Sequence, residues 1–255
     1  MTCYLLPIEK PEAEFTIHIR RFNPEVDKEP YWVSYQVPYV KTITVVEALE
    51  YLWDQGEYIA FRTNCREFTC GSCAMLINGK PQLACDTLLE DGMKLEPLTR
   101  YAVLRDLVVD NDVIKDKLKE LKYWPETNDR ERNFEVPPKV MADYAQSYSR
   151  CIECMCCLEA CPSSYSETSK FVGPMYALLL ARAASHPLDA SDRISQASDC
   201  GIWSCVSCFE CADVCPMELE PVKEVTKLRR RAVTQALRQV CTRKTAPATE
   251  KGLIT

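Results

Sequence analysis

The chain has 255 residues, a formal net charge of -6 at pH 7 and 16 cysteines. Its length is sufficient for two domains with a substantial core, and its acidic balance argues against a nucleic-acid-binding protein, because such domains are usually basic. The N-terminal sequence MTCYLLPIEK lacks a basic region followed by an apolar one, and no run of about eighteen apolar residues occurs. We therefore expect neither a signal peptide nor a membrane span, and cysteines that stay reduced in the cytoplasm rather than pairing in disulfides.

The N-terminal third of the sequence predicts two strands followed by a helix. Apolar and polar side chains alternate over residues 15–22, and residues 31–39 are rich in residues that favour strands, so the two segments are expected to form a hairpin. Thr44 and Glu47 have the spacing of a capping box, and the apolar helical pattern after them ends at Gly56. A further turn is predicted at Asn78-Gly79.

Four cysteines follow this helix in a spacing typical of plant-type ferredoxins. Cys65, Cys70 and Cys73 form the pattern C-x4-C-x2-C, and Cys85 follows after a predicted strand and turn. A zinc ribbon is the alternative, but it would use two C-x2-C pairs. The intervening residues Gly71-Ser72 suit backbone N–H groups that turn toward the sulfurs. The pattern predicts a [2Fe-2S] cluster in a small β-grasp ferredoxin domain.

Two later cysteine runs share one spacing. CIECMCCLEACP begins at Cys151 and CVSCFECADVCP begins at Cys205, and both have the form C-x2-C-x2-C-x3-C-P. This form wraps a cubane iron–sulfur cluster, and in two-cluster ferredoxins the fourth cysteine of each run binds the other cluster. A pair of zinc sites is the alternative, and the repeated closing Cys-Pro argues against it. On this rule one cluster is bound by Cys151, Cys154, Cys157 and Cys215, and the other by Cys161, Cys205, Cys208 and Cys211.

The remaining sequence predicts helices. Residues 111–122 are amphipathic, residues 123–138 are expected to form a surface connection, and an apolar helix is predicted over residues 175–185. Asp189 or Ser191 is expected to cap the next helix, and a basic helix that faces solvent or another subunit begins at Pro221. The predicted fold class is therefore α+β: a β-grasp plant-type [2Fe-2S] ferredoxin domain over residues 1–110 and an all-helical, bacterial-ferredoxin-like domain over residues 111–255.

The order of these sites resembles the iron–sulfur subunit of succinate dehydrogenases and fumarate reductases, the succinate:quinone oxidoreductase family. The similarity extends to FRTNCREFTCGSCAMLINGKPQLAC, to LEPLTRYAVLRDLVVD and to KFVGP after the first run. The resemblance implies that a flavoprotein partner interconverts succinate and fumarate at FAD, which only the partner binds. The clusters would then connect that FAD with a membrane-anchor or other membrane-associated subunit, with quinone near the third cluster. It also implies a peripheral position on the cytoplasmic side of the inner membrane and no catalytic substrate site in this chain.

The third cluster departs from the pattern of many family members. These bind a three-iron cluster with the equivalents of Cys161, Cys205 and Cys211, and they have a residue other than cysteine where this chain has Cys208. A fourth thiolate favours [4Fe-4S], whereas [3Fe-4S] is expected if Cys208 is not a ligand. Ser166 and Val206 also stand where related quinone-reactive enzymes have a tryptophan and a histidine, and Phe68 replaces a small residue in the two-iron loop.

Two alternative functions remain open at this point. One is the equivalent subunit of a related reductase, such as a thiol-linked fumarate reductase or an anaerobic glycerol-phosphate-type system; these often carry cysteine-rich CCG domains, which we do not expect here. The other is a zinc-stabilised interaction module. Cys3, Cys156, Cys200 and Cys241 have no assigned cluster. Cys156 is expected to pack as a small residue and Cys200 as a buried free thiol, with a partner-facing redox role as the alternative for Cys200.

Overall fold

The computed structural model describes residues 13–127, 136–148, 150–164 and 169–245. Its N-terminal part is a five-stranded sheet covered by one helix, α1 (Val45–Asp54). The strand order is β2-β1-β5-β3-β4, in which β1 and β5 are parallel and the other described pairs are antiparallel. The strands are β1 (Ala13–Arg21), β2 (Tyr31–Tyr39), β3 (Ala74–Ile77), β4 (Lys80–Leu83) and β5 (Met93–Glu96).

Local sequence signals account for this N-terminal unit. The predicted hairpin is present, because β1 pairs with β2 along its whole length. The predicted capping box is also present: Glu47 accepts a hydrogen bond from the Thr44 amide at 2.7 Å, and its own amide donates to Thr44 Oγ1 at 3.4 Å. Alternate residues of β1, Ile17 and Ile19, are fully buried under α1 with Leu49. The β-grasp prediction is therefore confirmed at the level of its elements.

A short hairpin and an amphipathic helix lead out of this sheet. The hairpin consists of β6 (Val103–Arg105) and β7 (Val108–Val109), and α2 (Asp112–Leu121) follows as predicted. The apolar face of α2, with Ile114, Leu118 and Leu121, belongs to a second core formed mainly by the C-terminal helices. This packing supports a boundary between residues 110 and 111, which stays a prediction.

The C-terminal part of the described chain is helical. Its helices are α3 (Pro138–Tyr148), α4 (Cys156–Glu159), α5 (Pro174–Ser185), α6 (Arg193–Asp199), α7 (Glu210–Asp213) and α8 (Pro221–Thr245), with a 3-10 turn over Ile202–Ser204. The apolar helix α5 is almost wholly buried and contacts α8 and α6. Helix α4 contacts both β4 and α7, so the first cysteine run lies between the sheet and the second run. No helix in the described part of the chain is long and apolar enough to cross a bilayer.

The predicted cap of α6 is wrong in position. Asp192 caps the helix, since its Oδ1 accepts a hydrogen bond from the Ser195 amide at 3.1 Å. Asp189 instead forms a buried ion pair with Arg193 at 3.0 Å, and the Ser191 hydroxyl donates to Glu126 Oε2 at 2.7 Å. The helix therefore begins later than predicted. The sequence could not identify the cap because Asp189, Ser191 and Asp192 lie close together and all have suitable side chains.

Arg193 connects α6 to the end of α2. Its guanidinium is 2% exposed and donates to the carbonyls of Lys122 and Trp124, both at 2.8 Å. Asp189 neutralises the charge at 3.0 Å. A buried guanidinium is tolerated only when it is paired and its donors are satisfied. The first residues of the predicted surface connection are therefore fixed against the C-terminal domain, whereas residues 128–135 lie outside the described part.

Candidate cluster sites

The loop from Cys65 to Cys70 wraps its backbone amides around one sulfur. Cys65 Sγ accepts hydrogen bonds from the amides of Glu67 at 3.4 Å, Thr69 at 3.4 Å and Cys70 at 3.3 Å. Positive φ values at Arg66 (59°) and Phe68 (41°) produce this turn. N–H groups directed at sulfur stabilise the thiolate and, in an iron–sulfur site, influence the reduction potential. This loop therefore has the backbone geometry of a ligand loop.

Cys85 closes the same site from the end of β4. Its Sγ lies 3.4 Å from Cys73 Sγ and accepts a hydrogen bond from the Phe68 amide at 3.3 Å. The four predicted thiols thus come from one loop and one strand end of the sheet. The structure brings Cys73 and Cys85 together in the core, while Cys65 and Cys70 are partly exposed.

The thiols of this site differ in acidity. Hydrogen bonds from the Thr69 side chain and from backbone amides lower the pKa of Cys65 to about 6. Burial raises the pKa of Cys73 to about 12. Iron ligation needs both as thiolates, so metal binding would release a proton from the buried thiol.

Gly71 and Ser72 act differently from the prediction. The amides that the structure brings to Cys65 and Cys85 belong to residues 67–70, while the Ser72 hydroxyl lies 3.1 Å from Cys70 Sγ. Gly71, whose φ is 68°, allows its backbone to lie close to that of residues 152–154. A Cβ atom at this position would lie 2.6 Å from the Ile152 carbonyl oxygen and 3.0 Å from Cys154 Cα. The backbone of the two-iron loop therefore touches the backbone of the first cysteine run.

The two cysteine runs adopt the same local backbone. Glu153 and Met155 in the first run have φ values of 55° and 69°, and the equivalent Ser207 and Phe209 have 58° and 71°. In each run the second left-handed residue precedes a one-turn helix, α4 or α7. Left-handed conformations cost energy for residues other than glycine, so their repetition indicates a shared structural requirement. The internal repeat of the sequence is thus a repeat of structure.

The first predicted ligand set lines one cavity. Cys151, Cys154, Cys157 and Cys215 surround it together with apolar side chains that include Met175 and Leu178. Burial raises the pKa of Cys151 to about 11, and the thiols of Cys154 and Cys215 add to the shift. Four thiols around an apolar cavity fit the donor set of a four-iron cluster, and Cys215 reaches it from the other run as the spacing rule requires.

The second predicted ligand set is also brought together. Burial raises the pKa of Cys211 to about 12, with further contributions from the nearby thiols of Cys161, Cys205 and Cys208. Cys208 is the exposed member of this set, whereas Cys161 and Cys211 are buried. The cysteine spacing predicted that all four bind one cluster, and the structure has Cys161, Cys205 and Cys208 close enough to Cys211 to raise its pKa.

Arg229 of α8 binds the loop of the second cysteine run, and the sequence did not predict this contact. Its guanidinium donates to the Ile202 carbonyl at 2.6 and 2.9 Å, to the Cys205 carbonyl, and to Ser207 Oγ at 3.4 Å. It also lies 6.0 Å from the centre of the Trp203 ring. Arg229 is therefore an exception to the prediction that this basic helix faces solvent or another subunit.

The other departures noted in the sequence fall in different environments. Phe68 and Val206 are exposed, at 47% and 68%, and Ser166 lies outside the described residues. Cys156 and Cys200 are buried thiols, in agreement with the prediction, and burial raises the pKa of Cys200. Cys241 is exposed on α8, and Cys3 lies outside the described residues.

Two protein-family models match the chain, one over the N-terminal cysteines and one over the two later cysteine runs. Residues 16–116 match a family described as a 2Fe-2S iron-sulfur cluster binding domain, and residues 147–219 match a 4Fe-4S dicluster domain. A solved chain of the Mycobacterium smegmatis Sdh1 complex in the apo form superimposes with a TM-score of 0.79 at 24% identity, covering 88% of this chain and 98% of that one. This likeness shows the fold, and the α+β prediction with two ferredoxin-like domains is confirmed.

Curated relatives extend over most of the chain. A fumarate reductase iron-sulfur subunit of Escherichia coli O6:H1 is 36% identical over 220 residues, or 82% of this chain and 89% of the relative. One from Mycobacterium tuberculosis is 33% identical over 88% of this chain and 95% of its own length. An uncharacterized iron-sulfur protein of Methanocaldococcus jannaschii is 39% identical over 84% of this chain, which spans only 42% of that longer relative. The predicted resemblance is confirmed: the chain belongs to the family of fumarate reductase and succinate dehydrogenase iron–sulfur subunits.

Proposed function

We propose that the chain relays electrons between the FAD of a flavoprotein subunit and a membrane-associated subunit, within a complex that interconverts succinate and fumarate. The [2Fe-2S] cluster, bound by Cys65, Cys70, Cys73 and Cys85, is the one nearest the flavin. The substrate site belongs to the partner, and this chain supplies the path for electrons.

The contact between Gly71 and the first cysteine run is the observation that carries this proposal. Because the Gly71 backbone touches Ile152 and Cys154, the two-iron loop and a four-iron ligand loop are adjacent. The thiol of Cys211 also acts on the pKa of Cys157, so the two ligand sets of the helical domain are near each other. Three neighbouring cluster sites would form a continuous path rather than three isolated cofactors.

The middle cluster is assigned to Cys151, Cys154, Cys157 and Cys215, and the third cluster to Cys161, Cys205, Cys208 and Cys211. We favour [4Fe-4S] for the third cluster, because a fourth thiol is available and the matched 4Fe-4S dicluster domain includes both runs. If Cys208 does not bind, three thiols remain and [3Fe-4S] is expected. Each cluster supplies one-electron redox chemistry, and the protein fixes its position and its hydrogen bonds.

The third cluster lies beside an apolar surface that suits a partner. Trp203, Val206 and Phe209 are 52%, 68% and 47% exposed in the same short segment as the exposed Cys208. Exposed aromatic and aliphatic groups that lie close together indicate an interaction site. We assign this surface to the membrane-associated subunit. We further propose a peripheral position on the cytoplasmic side of the inner membrane, with quinone near the third cluster.

Isolation of the native complex tests this function. The chain, purified under anaerobic conditions through an affinity tag, is expected to bring with it a flavin-containing subunit, and the complex is expected to reduce fumarate with a viologen donor. A Cys85→Ser variant of the same complex should retain flavin but lose electron delivery from that donor. A tagged chain that purifies without flavin, or with a flavoprotein inactive on both succinate and fumarate, would refute the proposal.

A second candidate is supported by one relative. A protein of Methanothermobacter marburgensis, named as one of the subunits of a fumarate reductase (CoM/CoB), is 34% identical over 84% of this chain, which spans 43% of that relative. In this case the electrons exchange with a thiol–disulfide pair instead of a quinone. The same purified complex distinguishes the two: succinate-dependent reduction of a soluble quinone favours the first function, and fumarate reduction driven by coenzyme thiols favours the second.

A further inference from the structure

A buried carboxylate lies beside the proposed two-iron site and has no part in binding the cluster. Glu50, on α1, is 5% exposed, and its Oε1 lies 2.8 Å from Arg66 Nη2. Its second oxygen, Oε2, is buried and has no hydrogen-bond partner among the described residues. A buried carboxylate with one unsatisfied oxygen is costly, so it requires an explanation.

The position of the pair connects α1 with both sides of the cluster site. Val46 lies one turn before Glu50 on the same face of α1, and its amide donates to the Ala84 carbonyl, next to Cys85, at 3.0 Å. Arg66 immediately follows Cys65. Glu50 therefore reaches from the helix that packs on the Cys85 segment to the loop that contains Cys65.

Arg66 is also part of the turn that directs amides at Cys65. Its φ of 59° precedes the three residues, Glu67, Thr69 and Cys70, whose amides donate to Cys65 Sγ. Arg66 thus belongs to the backbone turn that surrounds this sulfur. Its side chain is 42% exposed, so solvent screens part of its charge, but Glu50 is at direct ion-pair distance.

We propose that Glu50 is a positioning residue that lowers the reduction potential of the two-iron cluster by neutralising Arg66 beside Cys65. Reduction adds one negative charge to the cluster, and a neighbouring cation favours that step. Pairing with a carboxylate cancels this effect, so the oxidised cluster is favoured relative to a site with an unpaired arginine. The inference rests on the proposed assignment of Cys65, Cys70, Cys73 and Cys85 to a [2Fe-2S] cluster.

Other charges near Glu50 come from its own helix. Burial raises the pKa of Glu50, Arg66 lowers it, and the carboxylates of Glu47 and Asp54 raise it. The measurement is therefore made at alkaline pH, where the carboxylate is ionised. Asp54 is exposed one turn after Glu50 and provides a matched control, because Asp54→Asn removes the same charge from the same helix.

The test is a redox titration of the two-iron electron paramagnetic resonance signal in the native complex. Glu50→Gln keeps the shape of the side chain and is expected to shift the midpoint potential to a more positive value. Asp54→Asn should shift it less, because that carboxylate is solvated. The double variant Glu50→Gln/Arg66→Gln removes both charges and should return the potential toward that of the wild type.

Two results would contradict the proposed role of Glu50. An unchanged potential in Glu50→Gln, or an equal shift in Asp54→Asn, overturns it. Glu50→Met, with an apolar side chain of similar volume, provides a second route to the same charge state if the glutamine variant does not load the cluster. A wild-type complex without a two-iron signal would instead overturn the cluster assignment, so the two failures are distinguishable.

Discussion

Glu159 of the first cysteine run binds Thr99 of the segment that follows β5. Its Oε1 accepts hydrogen bonds from the Thr99 amide at 3.1 Å and from the Thr99 hydroxyl at 2.5 Å, and its Oε2 accepts one from the Arg100 amide at 3.1 Å. The carboxylate is 7% exposed. This buried side chain thus connects the β-grasp domain to the helical domain at the first cysteine run.

Replacing Glu159 by glutamine should loosen this connection. Glutamine presents an NH2 group to donors that need an acceptor, and loss of charged hydrogen bonds costs about 2–3 kcal/mol. We expect faster proteolysis between the domains, with the clusters still present. Asp213 occupies the equivalent position of the second run and is exposed, so Asp213→Asn is the control. Equal protease sensitivity of the two variants would contradict the role of Glu159.

Gly71→Ala tests the contact between the two-iron loop and the first run. Alanine at a left-handed glycine costs about 1–2 kcal/mol by itself, and at Gly71 the new Cβ would also meet backbone atoms at 2.6 and 3.0 Å. Gly79→Ala is the matched control, since its φ of 77° is similar and nothing lies within 4 Å of its Cβ. The temperature at which the visible cluster absorbance bleaches should fall clearly more for Gly71→Ala. Equal falls would mean that the close contact contributes nothing.

Much of this architecture follows from local sequence signals. Thr44 and Glu47 identified the start of α1, and the cysteine spacing identified the two sets that the structure brings together, including the crossed ligand Cys215. These signals are local because caps and ligand loops depend on neighbouring residues. The cap of α6 was misplaced because Asp189, Ser191 and Asp192 all have suitable chemistry, and only the tertiary structure commits Asp189 to Arg193.

The contacts that the sequence did not reveal join residues that are far apart in the sequence. Glu159 binds a segment about sixty residues earlier, and Arg229 of α8 binds the carbonyl of Cys205, 24 residues before it. A charged residue in a helix is usually solvated. The sequence around Glu159 or Arg229 therefore does not distinguish a buried hydrogen-bonding side chain from an exposed charge. The equivalence of Glu159 and Asp213 in the repeat was visible, but the sequence did not show which one is buried.

Ligand variants at Cys85 and Cys215 should have unequal effects. Cys85 closes a site within the β-grasp domain, whereas Cys215 joins the second run to the cavity of the first. Cluster binding contributes folding free energy, so Cys215→Ser is expected to lose the middle cluster and to make the whole helical domain protease-sensitive. Cys85→Ser should lose only the two-iron signal. Global unfolding in both variants would contradict the shared-ligand arrangement.

We propose that Cys208 determines the number of iron atoms in the third cluster. With four thiolates the wild-type cluster is expected to be [4Fe-4S] and to have a lower potential than a three-iron cluster. Cys208→Val should convert it to [3Fe-4S], which gives a strong signal in the oxidised state. The matched variant Cys241→Val, at an exposed cysteine outside the ligand sets, should leave the spectrum unchanged. A strong three-iron signal in the undamaged wild type would show that Cys208 is not a ligand.

The most direct test of the electron path is a stepwise reductive titration of the anaerobic native complex, followed by electron paramagnetic resonance. The proposed relay predicts the successive appearance of one two-iron and two four-iron signals that interact magnetically, because the loop of Gly71 contacts the first cysteine run and Cys211 of the third set lies near Cys157. A complex that shows no reducible iron–sulfur signal, or clusters that titrate without any magnetic interaction, would contradict the relay.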